Sequence, residues 1–283
     1  MKSTPLHKPS VMVVTVLYGQ PLEQTNVFHS LLDAGERVYI HDNSPVPSAP
    51  ESLPPLWNYV SDTSNPGLSA AYNAAARVAR SEGIEWLLIA DQDTVFPEGM
   101  LRKMRETIAS HPGERVFLPV VRISNGKYMS PVKMHGYVAR LSEKPLGGIV
   151  PLNSTAAINS GLMVRVDAFL ECGGYNERVP LDFSDFQFME RLSRIEPQVR
   201  VTKIVLRQSF SDKDDDAPTK LRRFERFCRS LSGFESARPH SRRDLRLVAV
   251  KRMLSLMLST RSLTPVGIFR EHFMKSFPDN HTD

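Results

Sequence analysis

The sequence predicts an α/β fold: a doubly wound, mostly parallel (mixed) sheet followed by a C-terminal helical extension. Three observations predict it. Apolar, β-branched runs recur through the first half of the chain without polar alternation, the pattern of strands covered on both faces. Helix-forming segments separate those runs, and strand–helix alternation builds a parallel sheet. Beyond Lys220 the strand pattern gives way to basic, helical segments.

The elements follow in order. Val11 to Leu17 (VMVVTVL) reads as a buried strand, broken by Tyr18-Gly-Gln-Pro21; Leu22 to Leu32 then suits a helix. Arg37 to His41 is a second strand that runs into Asp42-Asn43-Ser44-Pro45, and five prolines make the stretch to Pro55 a loop. Trp57 to Val60 is a third strand, Asn65-Pro66-Gly67 a turn, and Leu68 to Arg80 a helix by its alanine content. Glu85 to Ala90 (EWLLIA) is a fourth buried strand, stopped by Asp91-Gln-Asp-Thr-Val-Phe-Pro97, and Met100 to Ile108 returns to helix. Short strands then cover Val116–Ile123 and Tyr137–Leu141. Gly161 to Val166 is a strand, Asp167–Cys172 and Phe183–Ile195 are helices, and Val199–Leu206 is the last strand. Ser211–Ala217 is an acidic loop. The expected division is 1–215 for the sheet domain and 216–283 for the extension, whose Leu247, Val250, Leu254 and Met257 share one helix face.

With 41% hydrophobic and 24% charged residues, the composition excludes a disordered or fibrous chain. No apolar run reaches the roughly 18–20 residues that span a bilayer, and the first ten residues lack a secretory apolar stretch. Two cysteines, Cys172 and Cys228, make neither a disulfide framework nor a zinc site. The expected location is cytoplasmic. Charge is unevenly spread: Lys220 to Lys275 carry 14 Lys and Arg against 4 Asp and Glu, leaving 22 basic and 27 acidic residues elsewhere. A basic tail on an acidic body suits an anionic partner or a solvated helix surface.

Ligands of open α/β sheets sit beyond the carboxyl ends of the strands, which is where Asp91 and Asp93 fall. Two carboxylates one residue apart on a turn can direct oxygens at one hard cation, Mg²⁺ or Mn²⁺, bridging a diphosphate. The same D-Q-D-T-V string fits a haloacid-dehalogenase-type phosphatase with Asp91 as nucleophile and Asp215-Asp216 as a late acidic pair. In that fold the nucleophile strand opens the sheet, whereas three strand units precede Asp91 here. Gly67 permits a tight turn at the mouth of a helix, with Asn73 one to two turns inside it. Asp182 and Asp185 begin an apolar-faced helix with Arg191 two turns on; one acid can cap the helix, and one can take a proton from an acceptor hydroxyl. His41 and His135 could be ligands but read more readily as loop or core histidines, Cys172 and Trp86 read as packed residues, and Tyr175 and Phe183 either flank an acceptor sugar ring or pack.

In order, VTVLYG, HDNS, NPGLSAAYNAA, WLLIADQDTVFP, NSGLMVR, GGYNE and LDFSDFQFMERL cover about residues 11–210. That series resembles an inverting, nucleotide-sugar-dependent glycosyltransferase of family 2, GT-A type, and is most similar to its rhamnosyltransferase-like branch. The resemblance implies that Thr15 to Tyr18, with Asp42 and Asn43, line a nucleotide pocket, and that Asn65, Gly67 and Asn73 belong to the donor site. It implies Asp91 and Asp93 as the D-x-D, Asp93 being the direct metal ligand, and Asp185 as general base with Asp182 in support. Arg191 would frame the acceptor or diphosphate side. Relatives carry a late His that is missing here, where Gln208, Ser209 or Asp212 would stand in.

The implied reaction moves rhamnose from dTDP-rhamnose to a surface glycan or lipid-linked acceptor. The tail would then hold the enzyme at the inner face of a membrane or pack as a homodimer surface; without interleaved aromatics it is not expected to bind nucleic acid. A non-catalytic binding protein of the same fold is the remaining alternative.

Overall fold

Strand β1 (Val11–Leu17) is buried at every position because both of its faces are covered. Its even-numbered residues Met12, Val14 and Val16 enter one apolar layer, and Val11, Val13 and Leu17 enter the other. The computed structural model describes residues 9–31, 35–208 and 216–274. After β1 come α1 (Asn26–Leu31), β2 (Arg37–Asp42), β3 (Trp57–Ser61), α2 (Leu68–Ser81), β4 (Trp86–Asp91) and α3 (Met100–Ser110). Next are β5 (Val116–Ile123), β6 (Tyr128–Ser130), β7 (Val132–His135), β8 (Val138–Ala139), β9 (Gly148–Pro151), β10 (Thr155–Ala156) and β11 (Met163–Arg165). The chain then forms α4 (Val166–Glu171), α5 (Ser184–Leu192), β12 (Gln198–Gln208), α6 (Ala217–Ser232), α7 (Ser241–Thr260) and α8 (Thr264–Phe269).

The main sheet runs β3-β2-β1-β4-β11-β5-β12-β9, with β6 beside β5. Pairs β3-β2, β2-β1, β1-β4 and β5-β12 are parallel, whereas β11 is antiparallel to both neighbours, so the sheet is mixed as expected. Helices α2, α4 and α5 cover one face, and α1 and α3 cover the other. A small sheet, β10-β7-β8, lies to the side.

Three elements differ from the sequence expectation. The helix expected over Leu22–Leu32 is split at Thr25, whose hydroxyl donates to Leu22 O and accepts from Phe28 N–H, capping α1. Leu32 lies outside the described residues. The Tyr137–Leu141 strand shrinks to two residues. In α7, Leu245 and Ala249 pack inward, while Leu247 and Leu254 from the anticipated apolar row are exposed.

Helices α6 to α8 share a core with the body: Phe224, Phe227, Cys228 and Leu231 meet Leu245, Phe269 and Phe273, and also Tyr137 and Val179. The first helical segment of the extension is thereby fixed against the start of α5. Arg252 adds a guanidinium 4.3 Å from the Phe227 ring centroid and an ion pair with Asp182 at 3.6 Å. Asp216 caps α6, accepting from Thr219 N–H at 2.9 Å. Asp215, Ser209 and Asp212, with most of the predicted acidic loop, lie outside the described residues.

Candidate active site

Parallel register brings the functional strand ends level. Leu17 pairs with Asp42, and Val16 pairs with Asp91, so β1, β2 and β4 end at one rim. A cleft of about 570 Å³ opens there, bounded by Val16, Tyr18, Asn43, Asn65, Asp91 and Asp93. Strand alternation decides which side chains reach it. Val16 points to the α2 side, and Thr15 points to the α1 and α3 side, where its hydroxyl is buried without a partner. Thr15 is thus not a cleft residue, although it was expected to be one.

Asp42 lies behind the cleft and organises it. Burial would push its pKa up, but hydrogen bonds from Ser44, Tyr59 and Ser48 outweigh that and hold it below the usual carboxylate value. Its neighbour Asn43 does reach the cleft, and its side-chain amide oxygen is buried. The Tyr18 N–H donates to Gln92 Oε1 at 2.9 Å, tying the end of β1 to the D-x-D turn. At the Asn65–Gly67 turn, Gly67 has φ 93°, and a Cβ there would meet Pro180 O at 2.5 Å. Only glycine lets the chain turn this tightly against the 180s loop.

The two acids of the D-x-D separate. Asp91 continues the parity of Leu87 and Ile89, so it emerges on the α2 and α5 face. Both its oxygens accept from hydroxyls, one from Tyr72 at 3.3 Å and one from Ser160 in a short bond. Ser160 is delivered by the turn into β11, where Gly161 (φ 76°) packs so closely that a Cβ would overlap Leu206 and Pro119. Burial pushes the Asp91 pKa up to about 6. Asp93 is further out; burial raises its pKa too, and its Oδ1 accepts from Gln208 Nε2 at 3.4 Å.

Asp185 sits in the first turn of α5, accepting the Phe186 N–H at 2.8 Å. Burial pushes its pKa up to about 7, and the charges of Asp91 and Asp182 add to the rise. Asp182 is turned toward Arg252 of α7. Two other predicted residues are structural. Asn73 donates to Tyr175 O and Glu177 and accepts from Tyr175 N–H, fastening α2 to the Gly-Gly-Tyr turn. Arg191 donates to the carbonyls of Gly173 and Gly174 and pairs with Glu235, so it braces that turn and does not line the cleft. Tyr175 stacks on Phe188 at 4.1 Å and donates to Asn159, a packing role. The Cys172 pKa is pushed up to about 11 by burial, which leaves the thiol unreactive at neutral pH.

Several residues at or behind the cleft escaped sequence reasoning. Tyr72 and Ser160, buried behind it against Asp91, had no spacing signal, because their role depends on contacts 19 and 69 residues away in sequence. Arg223, Arg226 and Arg229 of α6 also line the cleft; the local excess of positive charge was their visible trace. A second hollow of about 760 Å³ lies between α1 and α3, but Glu36 and Arg105 there are bonded to each other and none of the strand-end carboxylates reaches it.

Among the described residues no group of three His, Cys, Asp or Glu gathers as a metal cage. Mg²⁺, however, is commonly held by one or two carboxylates together with substrate phosphates. Asp93 fits that requirement, and the amide oxygen of the neighbouring Gln208 is buried without a partner. Asp91, with both oxygens engaged, fits it less well.

The profile of Glycosyl transferase family 2 matches residues 12–173. The chain belongs to glycosyl transferase family 2. It is therefore a nucleotide-sugar-dependent glycosyltransferase, and the matched span includes both D-x-D acids and the Ser160 turn. This displaces the phosphatase and non-catalytic readings. Comparison with curated proteins gives no match. Among solved structures the family 2 chain is similar to S. aureus TarS 1-349, with TM-score 0.52, 16% identity, and 87% of this chain and 72% of that chain covered. The same fragment in complex with UDP-GlcNAc gives 0.52 at 13% identity, covering 95% and 82%. Full-length TarS gives 0.57 at 14% identity, covering 95% of this chain and 49% of that one. At these identities the likeness shows the GT-A fold.

Proposed function

We propose that this family 2 enzyme inverts configuration while transferring rhamnose from dTDP-rhamnose to a hydroxyl of a cell-surface glycan or lipid-linked acceptor. The observation that carries the transferase chemistry is the Asp185 carboxylate, beside Asp91 and with a pKa raised to about 7. A base is most effective when its pKa lies near the working pH. The TarS complex with UDP-GlcNAc supports a nucleotide-sugar donor, and the rhamnosyltransferase-like motif order supports the choice of sugar.

In this mechanism the donor lies across the rim of β1, β2 and β4. Asn43 offers its side-chain amide oxygen to a base N–H, and Asn65 with Gly67 shapes the turn beside the sugar. Asp185 takes the proton of the acceptor hydroxyl as that oxygen attacks the anomeric carbon. Tyr72 and Ser160 hold Asp91, whose charge keeps Asp185 basic. The bond to the diphosphate breaks on the far side, and a single displacement inverts the centre. Asp93, with Gln208 beside it, would hold Mg²⁺ or Mn²⁺ together with the diphosphate. When bound, the cation supplies charge stabilisation to the leaving group.

The test is thermal-shift binding against dTDP, UDP, GDP and their sugar conjugates, with and without Mg²⁺ or Mn²⁺. Stabilisation greatest for dTDP and dTDP-rhamnose, and enhanced by metal, is expected. No shift with any nucleotide overturns the reading.

A membrane contact for the extension has its own support. Among the described residues no helix is long and apolar enough to cross a membrane. Yet Leu254, Leu258 and Leu263 are 50%, 82% and 74% exposed, beside the exposed cations Lys251 and Arg261. An apolar row flanked by cations suits an anionic bilayer surface. Flotation with phosphatidylglycerol vesicles that is abolished by Leu254→Glu with Leu258→Glu would support it; unchanged flotation would overturn it.

A further inference from the structure

The basic extension was expected to act at a membrane or dimer surface, yet part of its charge faces the donor cleft. Helix α6 is two-faced. Phe224, Phe227, Cys228 and Leu231 are fully buried in the C-terminal core. Arg223, Arg226 and Ser230 recur at helical spacing along the adjoining edge and line the same cleft as Asp93 and Asn43. Arg229 lines it as well, but forms an ion pair with Glu225 at 2.6 Å. Arg226 is exposed to the cleft, and among the described residues no carboxylate lies within ion-pair distance of it. Its guanidinium stands 6.0 Å from the ring centroid of Tyr18, the residue that follows β1 at the rim.

We propose that Arg223 and Arg226 of α6 are the cationic clamp for the donor diphosphate, binding it with or without a divalent ion. The inference rests on the nucleotide-sugar reading above. Charge accounts for the need. Asp91 and Asp93 already make the rim acidic, and a diphosphate brings further negative charge, so an ion-free site without cations would repel its own substrate. Gln208, beside Asp93, is neutral and supplies none of the required charge. A guanidinium suits the task, since its planar fork donates two parallel N–H bonds to phosphate oxygens. The clamp also has a role in the reaction. As the bond from the anomeric carbon to the β-phosphate oxygen breaks, its electron pair stays on that oxygen, and the arginine N–H groups meet the growing charge. The acceptor oxygen forms the new bond to carbon, and its proton passes to Asp185. Burial of the Phe face fixes the helix, so the backbone that carries the arginines is in place before the donor arrives.

The experiment is calorimetric titration of the full chain in excess EDTA with thymidine, dTMP and dTDP, and in parallel with uridine, UMP and UDP. Wild type is expected to bind the diphosphate more tightly than the nucleoside, with a gain that weakens as salt rises. Arg223→Gln with Arg226→Gln is expected to lower diphosphate affinity about 10- to 100-fold, the loss of hydrogen bonds to a charged group, and to leave nucleoside affinity within about twofold. Arg226→Lys should fall between the two. Arg243→Gln, which matches the single charge change of Arg226→Gln but lies on α7 outside the cleft lining, should change nothing. The unliganded melting temperature controls for folding, and Arg226→Gln alone, an exposed position, gives the reading if the double variant does not fold. Unchanged diphosphate affinity in a folded variant overturns the clamp. If wild type binds no nucleotide at all, the donor reading itself falls.

Discussion

Replacing Asp185 by Asn should stabilise the protein at alkaline pH while disabling it. The Asp185 pKa rises from 3.8 to about 7 on folding, chiefly through burial. Below about pH 4 the group is protonated in both folded and unfolded chains and has no effect on stability. Between about 4 and 7 the unfolded chain ionises while the folded one keeps its proton, so stability falls as pH rises. Above about 7 the loss is complete, and a displacement of that size corresponds to about 4 kcal/mol at most. Asn has nearly the same shape and no charge, so Asp185→Asn removes this group's part of the slope and leaves that of Asp91 and Asp93. Urea denaturation from pH 5 to pH 8 should show wild type losing stability relative to the variant, with the variant more stable by a few kcal/mol at pH 8. In the same preparations kcat/KM for sugar transfer should fall by about 10²- to 10⁴-fold, the usual contribution of a general base. Wild-type kcat/KM should decline as pH drops through about 7, because the base must be ionised. A variant with an unchanged pH–stability slope, or with near-normal turnover, would refute the argument.

Other perturbations probe different links. Asp93→Asn should abolish the metal-dependent part of dTDP binding in thermal shift while leaving metal-free binding largely intact; retention of the metal effect would remove Asp93 from the cation site. Gly67→Ala forces a Cβ toward Pro180 O, a backbone atom at 2.5 Å, at a φ that disfavours alanine. A lower melting temperature and weaker nucleotide binding are expected, and an unchanged protein would show that the turn relaxes freely. Phe227→Ala empties a fully buried position and should cost about 3–5 kcal/mol in urea denaturation. Because Phe227 seats α6, diphosphate affinity should fall with it; a loss of stability with no change in affinity would uncouple the extension from the cleft.

What the sequence determined by itself is local. Uninterrupted apolar runs such as VMVVTVL and EWLLIA become doubly covered strands because no face needs to meet water, and the residues after them must emerge at the strand ends. Motif order was enough to place the chain in its family, and strand and helix patterning put Asp91 at the end of β4 and Asp185 at the start of α5. What only the tertiary structure decided is which of these groups remain available. Asp91 is held by hydroxyls from α2 and the β11 turn, Thr15 faces the wrong layer, and Asn73 and Arg191 fasten the Gly-Gly-Tyr turn. The α6 arginines reach the cleft although about 130 residues separate them from the D-x-D. A helical pattern in sequence gives faces, not neighbours. The partner of each face is chosen when Phe224 and Phe227 find a common core with Tyr137 and Val179, and that packing points the α6 arginines at the cleft.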